Sequence, residues 1–386
     1  MIPYSRQFIN QKDKKKVLKV LNSNFLTTGP EIQYFEKNLS KKFGSKYALV
    51  VNSATSALHL SCLALNLKNK DIFWTSPISF VSSANCALLC DAKVNFVDVD
   101  PKTFNISLNL LEKKISKIKN KYSLPKIIMP VHLGGNPADL IKLKKLSLKY
   151  NFKIIEDASH ASGAKIGRSL IGSSKYSDIT VFSFHPVKTI TSGEGGAILT
   201  NSKKIYEKIK VLRNQGIENK SDKVKRYSIN PWHYDINNLG YNYRMTDIQA
   251  ALGSSQLKSL DKFIKKRNTI ANYYKKKLSK EIIFQEIKKN NLSTYHLFII
   301  RVKKSIRNEI VKKLNDKKIF TNLHYAPIYR HNLYKKNFNY RFNNFPEAEN
   351  YFKEAISIPI YYTLKKKQQD IIINTINSFY LKKIKK

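Results

Sequence analysis

The chain predicts an α/β architecture, a large domain built on a mainly parallel sheet followed by a smaller α/β domain, on three observations. Short apolar runs alternate with helical patterns to about residue 245, a long helical pattern follows, and a second, shorter alternation closes the chain. Such alternation reads as parallel strands, since each parallel connection needs a crossover long enough to hold a helix.

After a helical entry segment, strands are expected at Tyr47–Val51, Ile72–Ser76, Val94–Val99, Ile127–His132, Phe152–Glu156, Ile179–Phe184 and Ala197–Thr200. The helical pattern from Met245 to about Lys277 is expected to lead away from this domain. Beyond it lie strands near Tyr295–Val302, Phe320–His324 and Ile356–Pro359, with helices near Arg307–Lys317, Glu347–Glu354 and Gln368–Ile384. The domains are therefore drawn as residues 1–245 and 246–386. Gly216–Asn238 is polar and aromatic without a clear period, which makes it a long loop, either functional or mobile. No internal repeat is found.

A chain of 386 residues with 42% hydrophobic content can bury a substantial core. Its N-terminus lacks a basic segment leading into an apolar run, and no stretch approaches the roughly 18 apolar residues that span a bilayer, so a cytoplasmic protein without a membrane partner is expected. Cys62, Cys86 and Cys90 read as buried core thiols; no disulfide framework and no metal site is expected from them. The net charge of +43 invites a nucleic-acid reading. Against it, Arg is scarce beside Lys, and the lysines are spread along every amphipathic helix. This is a compositional bias more than a patch, so no nucleic-acid partner is expected, although the field favours anionic nucleotide substrates.

The chemistry concentrates in Phe182-Ser-Phe-His-Pro-Val-Lys188 and the turn that follows, which carries Gly193, Gly195 and Gly196. Here one lysine stands between an apolar strand and a glycine-rich turn. Upstream, Phe152-Lys-Ile-Ile-Glu-Asp157 reads as a buried strand ending in a carboxylate, at the end of an open α/β sheet where ligands bind. A lysine and an aspartate so placed suggest pyridoxal 5'-phosphate (PLP), with Lys188 holding the aldehyde and Asp157 keeping the pyridine nitrogen protonated. The bland alternative for Asp157 is a cap or turn residue after a strand. Asn52-Ser-Ala54-Thr55-Ser lies between a strand and a helix, where backbone N–H groups and hydroxyls converge on a phosphate; Ala54 and Thr55 are the expected contacts, and capping of the helix is compatible with that role.

Several separated segments carry a resemblance: Tyr47–Leu58, Thr75–Phe80, Glu156–Ala161, the Lys188 segment and Gly240–Met245. In this order they resemble the sugar aminotransferases that act on nucleotide-linked keto sugars, PLP enzymes of fold type I, the aspartate-aminotransferase-like fold. Ile2-Pro-Tyr-Ser-Arg-Gln, Ser76-Pro-Ile-Ser-Phe-Val and His324-Tyr-Ala-Pro-Ile-Tyr329 are most similar to the branch that makes the 4-amino precursor of pseudaminic acid.

The resemblance implies further site residues. Ser183 adds a hydroxyl to the phosphate, and Phe80 stacks on the pyridine, where core packing is the alternative. His160 stands where many relatives carry a Gln that bonds the cofactor's phenolic oxygen; a structural histidine is the alternative. Asn242 and Arg244 reach across a homodimer interface to the neighbouring phosphate and substrate, Arg suiting an anion bidentately; a surface-loop residue is the alternative for Arg244. His324, Tyr325 and Tyr329 either line the substrate mouth or form an aromatic packing cluster. The implied reaction moves an amino group from L-glutamate to C4 of a UDP-linked 4-keto-6-deoxy sugar, with Lys188 as the proton carrier. Amination at C3 or C4 of a dTDP- or GDP-keto sugar is the alternative, and a nucleic-acid-binding regulator would leave Lys188 and Asp157 unexplained. In the sister sugar dehydratases histidine replaces the cofactor lysine; Lys188 argues against that chemistry.

Overall fold

The computed structural model describes residues 1–218, 234–337 and 340–384. Its large sheet is built from β1 (Tyr47–Val51), β2 (Ile72–Thr75), β3 (Lys93–Phe96), β4 (Ile127–Met129) and β5 (Lys153–Asp157), joined later by β8 (Ile179–Ser183) and β9 (Gly196–Thr200). Between β5 and β8 run two short strands, β6 (Lys165–Ile166) and β7 (Ser169–Leu170). The order across the large sheet is β1-β9-β8-β5-β4-β2-β3. All neighbours are parallel except β9, which runs antiparallel to both β1 and β8.

Burial on both faces explains the near-continuous apolar strands: every residue of β8 and β9 is buried. One apolar cluster lies around Leu49, Phe73, Ile155 and Ile198, and another around Phe35, Trp74, Ile154 and Phe182, so alternate residues of a strand feed opposite layers. The helices in the first half are α1 (Gln11–Leu21), α2 (Pro30–Phe43), α3 (Ala54–Ala64), α4 (Ser82–Leu88), α5 (Leu108–Ile115), α6 (Leu140–Tyr150) and α7 (Lys203–Leu212).

The antiparallel β9 brings its first residue to the carboxyl ends of its neighbours. Gly196 pairs with Val51 on one side and Ser183 on the other. A Cβ there would stand 2.6 Å from the Ser53 carbonyl and 2.7 Å from the Ala54 nitrogen, so only glycine permits this approach to the start of α3.

The small domain forms an antiparallel sheet with β13 (Phe298–Arg301) between β12 (Ile283–Phe284) and β14 (Ala355–Ile358). Its core includes Phe298, Ile300, Ile310, Ile356, Ile372 and Ile2. Ile2 joins this core from the start of the chain, where it forms a bridge with Ile319. The expected Met245–Lys277 helix is two helices, α8 (Asp247–Leu257) and α9 (Leu260–Lys277). Thr246 caps the first in a capping box with Gln249, and Asp247 accepts the N–H groups of Gly29 and Glu31, which holds α8 against the large domain. It is α9 that joins the two cores, through Phe263 and Ile264 on one side and Ile270 and Tyr274 on the other. The predicted strand Phe320–His324 is reduced to single bridges at Ile319 and Asn322, where the Asn322 side chain accepts the next N–H. The expected loop Gly216–Asn238 lies mostly in residues 219–233, outside the described residues; its ends pair as β10 (Ile217–Glu218) and β11 (Asp235–Ile236).

Candidate active site

Lys188 sits in the turn between β8 and β9, and the turn is stapled by its own polar groups. The Thr191 hydroxyl donates to the Phe184 carbonyl at 2.9 Å and accepts the Gly193 N–H at 2.9 Å, while Lys188 N–H donates to the His185 carbonyl at 2.9 Å. Gly193 has φ +83°, the left-handed region in which glycine is unstrained. The Lys188 side chain is partly exposed. Desolvation in its surroundings lowers the amine to a pKa of about 8, and the opposing charge of Asp157 only partly offsets this.

Asp157 ends β5, 5% exposed, and its carboxylate is held by two donors. Ser83 Oγ donates to Oδ2 at 2.6 Å, and the Ser159 N–H donates to Oδ1 at 3.1 Å. Ser79 lies 2.6 Å from Ser83, so a hydroxyl pair stands behind the carboxylate. Neither serine was expected from sequence, although both lie in or beside the Ser-rich Ser76–Val81 motif. The preceding residue, Glu156, is bonded instead to His132 at 3.0 Å and Thr180 at 2.9 Å.

His160 is buried, and both its ring nitrogens are engaged. Nδ1 accepts the Gly134 N–H at 3.3 Å, and Nε2 lies 3.2 Å from the Tyr325 hydroxyl. The His296 ring packs on it at 4.3 Å, a neighbour that no sequence motif signalled. Burial, and after it the charge of Lys188, keeps His160 well below the usual imidazole pKa. His324 is also buried, bonded through Nδ1 to Ser357 at 2.9 Å, and is depressed to about 3 by burial and then by Lys188. Lys188, Asp157, His160, His324 and Tyr325 thus face one another across the joint between the domains.

The remaining expected contacts divide. Ala54 and Thr55 open α3 beside Gly196, and Thr55 Oγ1 is 2.9 Å from the Ser82 hydroxyl. Ser183 is buried at the end of β8 and pairs with Gly196. Phe80 is 56% exposed, its ring 6.0 Å from that of Tyr325, so it has a face free for a flat ligand and is not core packing. Asn242 and Arg244 lie near the end of β1, Arg244 forming a bridge with Val51 and Asn242 one with Asn214. Asn242 is exposed, and Arg244 donates to Asn214 at 2.7 Å in a groove it shares with Glu36 and Arg213. Tyr329 is separate again. Its ring is fully buried, stacked on Phe345 at 4.7 Å, and its hydroxyl donates to Glu349 at 2.9 Å, which is the packing arrangement and places it in the core, away from any mouth.

These residues fit PLP. A partly buried amine of lowered pKa, a fixed carboxylate, an open aromatic face and a helix N-terminus that glycine leaves uncrowded match an aldehyde, a pyridine nitrogen, a ring and a phosphate. Asp157, Ser83, Ser79 and Phe80 come from the large domain, whereas Tyr325 and His324 come from the small one.

The DegT/DnrJ/EryC1/StrS aminotransferase family model matches residues 7–377. The chain is 38% identical over 392 residues to the UDP-4-amino-4,6-dideoxy-N-acetyl-beta-L-altrosamine transaminase of Campylobacter jejuni subsp. jejuni serotype O:23/36, covering 100% of this chain and 99% of that protein. Among solved structures it resembles Helicobacter pylori PseC, an aminotransferase involved in the biosynthesis of pseudoaminic acid, with TM-score 0.89 and 30% identity over 99% of each chain. It also resembles the PLP form of the putative sugar aminotransferase Spr1654 from Streptococcus pneumoniae, with TM-score 0.88 and 28% identity over 99% of each chain.

Proposed function

Because the chain belongs to the DegT/DnrJ/EryC1/StrS aminotransferase family, we propose that this PLP-dependent enzyme transfers the amino group of L-glutamate to C4 of a UDP-linked 4-keto-6-deoxy-N-acetylhexosamine, in pseudaminic acid-type synthesis. The observation that carries the substrate assignment is the end-to-end 38% identity with the Campylobacter transaminase named for the corresponding amino sugar.

When bound, PLP supplies an aldehyde that condenses with amines and a ring that takes up electron density. The residues of this chain supply the rest. Lys188 would hold the aldehyde carbon. Near a pKa of about 8, its Nζ carries enough neutral amine at neutral pH to accept a proton from the donor's α-carbon and return one to the sugar carbon. Asp157, anchored by Ser83 and Ser159, would hold the ring N–H. Ala54, Thr55 and Ser183 would hold the phosphate, and Phe80 the ring face. Asn242 and Arg244 would complete the site of a second copy in a homodimer. The basic surface draws in the anionic nucleotide. A cytoplasmic setting supplies both L-glutamate and the nucleotide sugar.

The test supplies the purified protein with L-glutamate and UDP-, dTDP- and GDP-linked keto sugars, and identifies products by mass and by the position of the new C–N bond. The UDP-4-keto sugar should turn over at least tenfold faster than the others. Preferential amination of a dTDP- or GDP-sugar, or of C3, would replace this assignment.

A further inference from the structure

Tyr325 ends a hydrogen-bonded chain whose direction the structure determines. The Gly134 N–H donates to His160 Nδ1 at 3.3 Å, so Nδ1 is an acceptor and the proton of the neutral ring lies on Nε2. Burial, together with the neighbouring Lys188, His324 and His132, keeps the ring from taking a second proton. Nε2–H therefore donates to the Tyr325 oxygen at 3.2 Å. The ring is held in place from one side by His296 at 4.3 Å, and the His160 carbonyl is held by the Thr294 hydroxyl at 2.6 Å.

It follows that Tyr325 receives a hydrogen bond from His160 and keeps its own proton for another acceptor. Among the described residues its hydroxyl has no second hydrogen-bond partner. The ring is partly exposed, faces Phe80 at 6.0 Å and lies within electrostatic reach of Asp157. Burial pushes its pKa up, so the proton stays on the oxygen throughout the physiological range.

We propose that Tyr325 is a further hydrogen-bond donor of the Lys188 site, positioned by His160, and that it donates to an oxygen at the reacting end of the bound ligand. Two oxygens share the required chemistry: the phenolic oxygen of PLP and the keto oxygen of the amino acceptor. In this arrangement His160 acts through Tyr325 rather than by its own N–H. The keto arm rests on the aminotransferase reading above but not on the identity of the sugar.

The experiment compares Tyr325→Phe, His160→Leu, His160→Gln and the Tyr325→Phe/His160→Leu double variant. In the protein without cofactor, ¹⁵N NMR should find the His160 proton on Nε2 at every pH from about 5 to about 8. In the loaded protein, the pH midpoint of the visible absorbance reports on the phenolic oxygen, and single-turnover rates with 2-oxoglutarate and with the keto sugar report on the keto oxygen. If the phenolic oxygen is the acceptor, Tyr325→Phe raises the midpoint by about one unit, because the anionic oxygen loses a donor. If the keto oxygen is the acceptor, the midpoint stays put and both single-turnover rates fall about tenfold. In either case His160→Leu gives part of the same effect and adds nothing in the double variant, and His160→Gln, which keeps an N–H donor, restores the wild-type value. Tyr325→Phe that moves neither readout, a His160→Leu effect that persists at full size without the Tyr325 hydroxyl, or a proton on Nδ1 would overturn the proposal. Because 2-oxoglutarate and the absorbance midpoint need no sugar, a wrong sugar assignment leaves this test intact.

Discussion

Ser83 donates its hydroxyl to Asp157 Oδ2 across 2.6 Å, tying a helix residue just beyond the Ser-rich motif to the carboxylate at the end of β5. A hydrogen bond to a charged acceptor contributes roughly 1.5–3 kcal/mol, so the orientation of Asp157 depends on a residue that carries no chemistry itself. Asp157→Asn is expected to leave the fold intact and cut turnover by several orders of magnitude, since an amide oxygen cannot hold a pyridinium proton as a carboxylate does. Ser83→Ala should cost much less, about tenfold, because Ser159 still holds Oδ1. Steady-state rates on variants with unchanged circular dichroism decide both; an Asp157→Asn loss below about tenfold would remove Asp157 from this role.

Lys188→Ala should abolish transamination and with it the covalent fixing of cofactor to the chain by borohydride, since no other amine lies in the turn from Phe184 to Gly195. Mass analysis of the reduced protein reads the outcome directly. Cofactor fixed to the variant at the wild-type level would place the tether on another lysine.

Burial lowers Lys188 from 10.5 to about 8. The folded protein therefore binds fewer protons at this group than the unfolded chain between about pH 8 and about pH 10.5. The group costs stability at lower pH, and the cost fades as the pH rises through that window. Only the neutral amine attacks an aldehyde, so the rate at which the protein takes up PLP should rise with pH and level off above about 8. Stopped-flow absorbance on mixing measures it; a midpoint near 10.5, the value the group starts from, would mean that the amine is fully solvated.

Mixing Lys188→Ala chains with an Asn242→Ala/Arg244→Ala double variant should restore activity, each chain alone being inactive. If sites are shared between two subunits, one site of each mixed dimer collects all the defects and the other is intact. Mass spectrometry confirms exchange of subunits; exchange without recovered activity would show that each chain builds its site alone and would exclude Asn242 and Arg244 from it.

What was legible in the amino-acid order is what local pattern controls. Apolar runs buried on both faces place β1, β5 and β8 within a residue or two, and the Lys188 and Asp157 segments stand out because an amine follows one such run and a carboxylate ends another. Long-range pairing was not legible. No local signal says that β9 runs antiparallel between β1 and β8, yet this brings Gly196 against Ala54 and assembles the start of α3, Ser183 and the Lys188 turn at one end of the sheet. Nor does a pattern tell Tyr325 from Tyr329, four residues apart in one aromatic motif. The fold turns the first toward His160 and Phe80 and seals the second against Phe345 and Glu349. In the same way Ile2 joins the small domain because its partner Ile319 lies there, far along the chain. Periodicity encodes which face of an element is apolar; which distant element covers that face is settled only when the burial and hydrogen bonding of the whole chain are satisfied together.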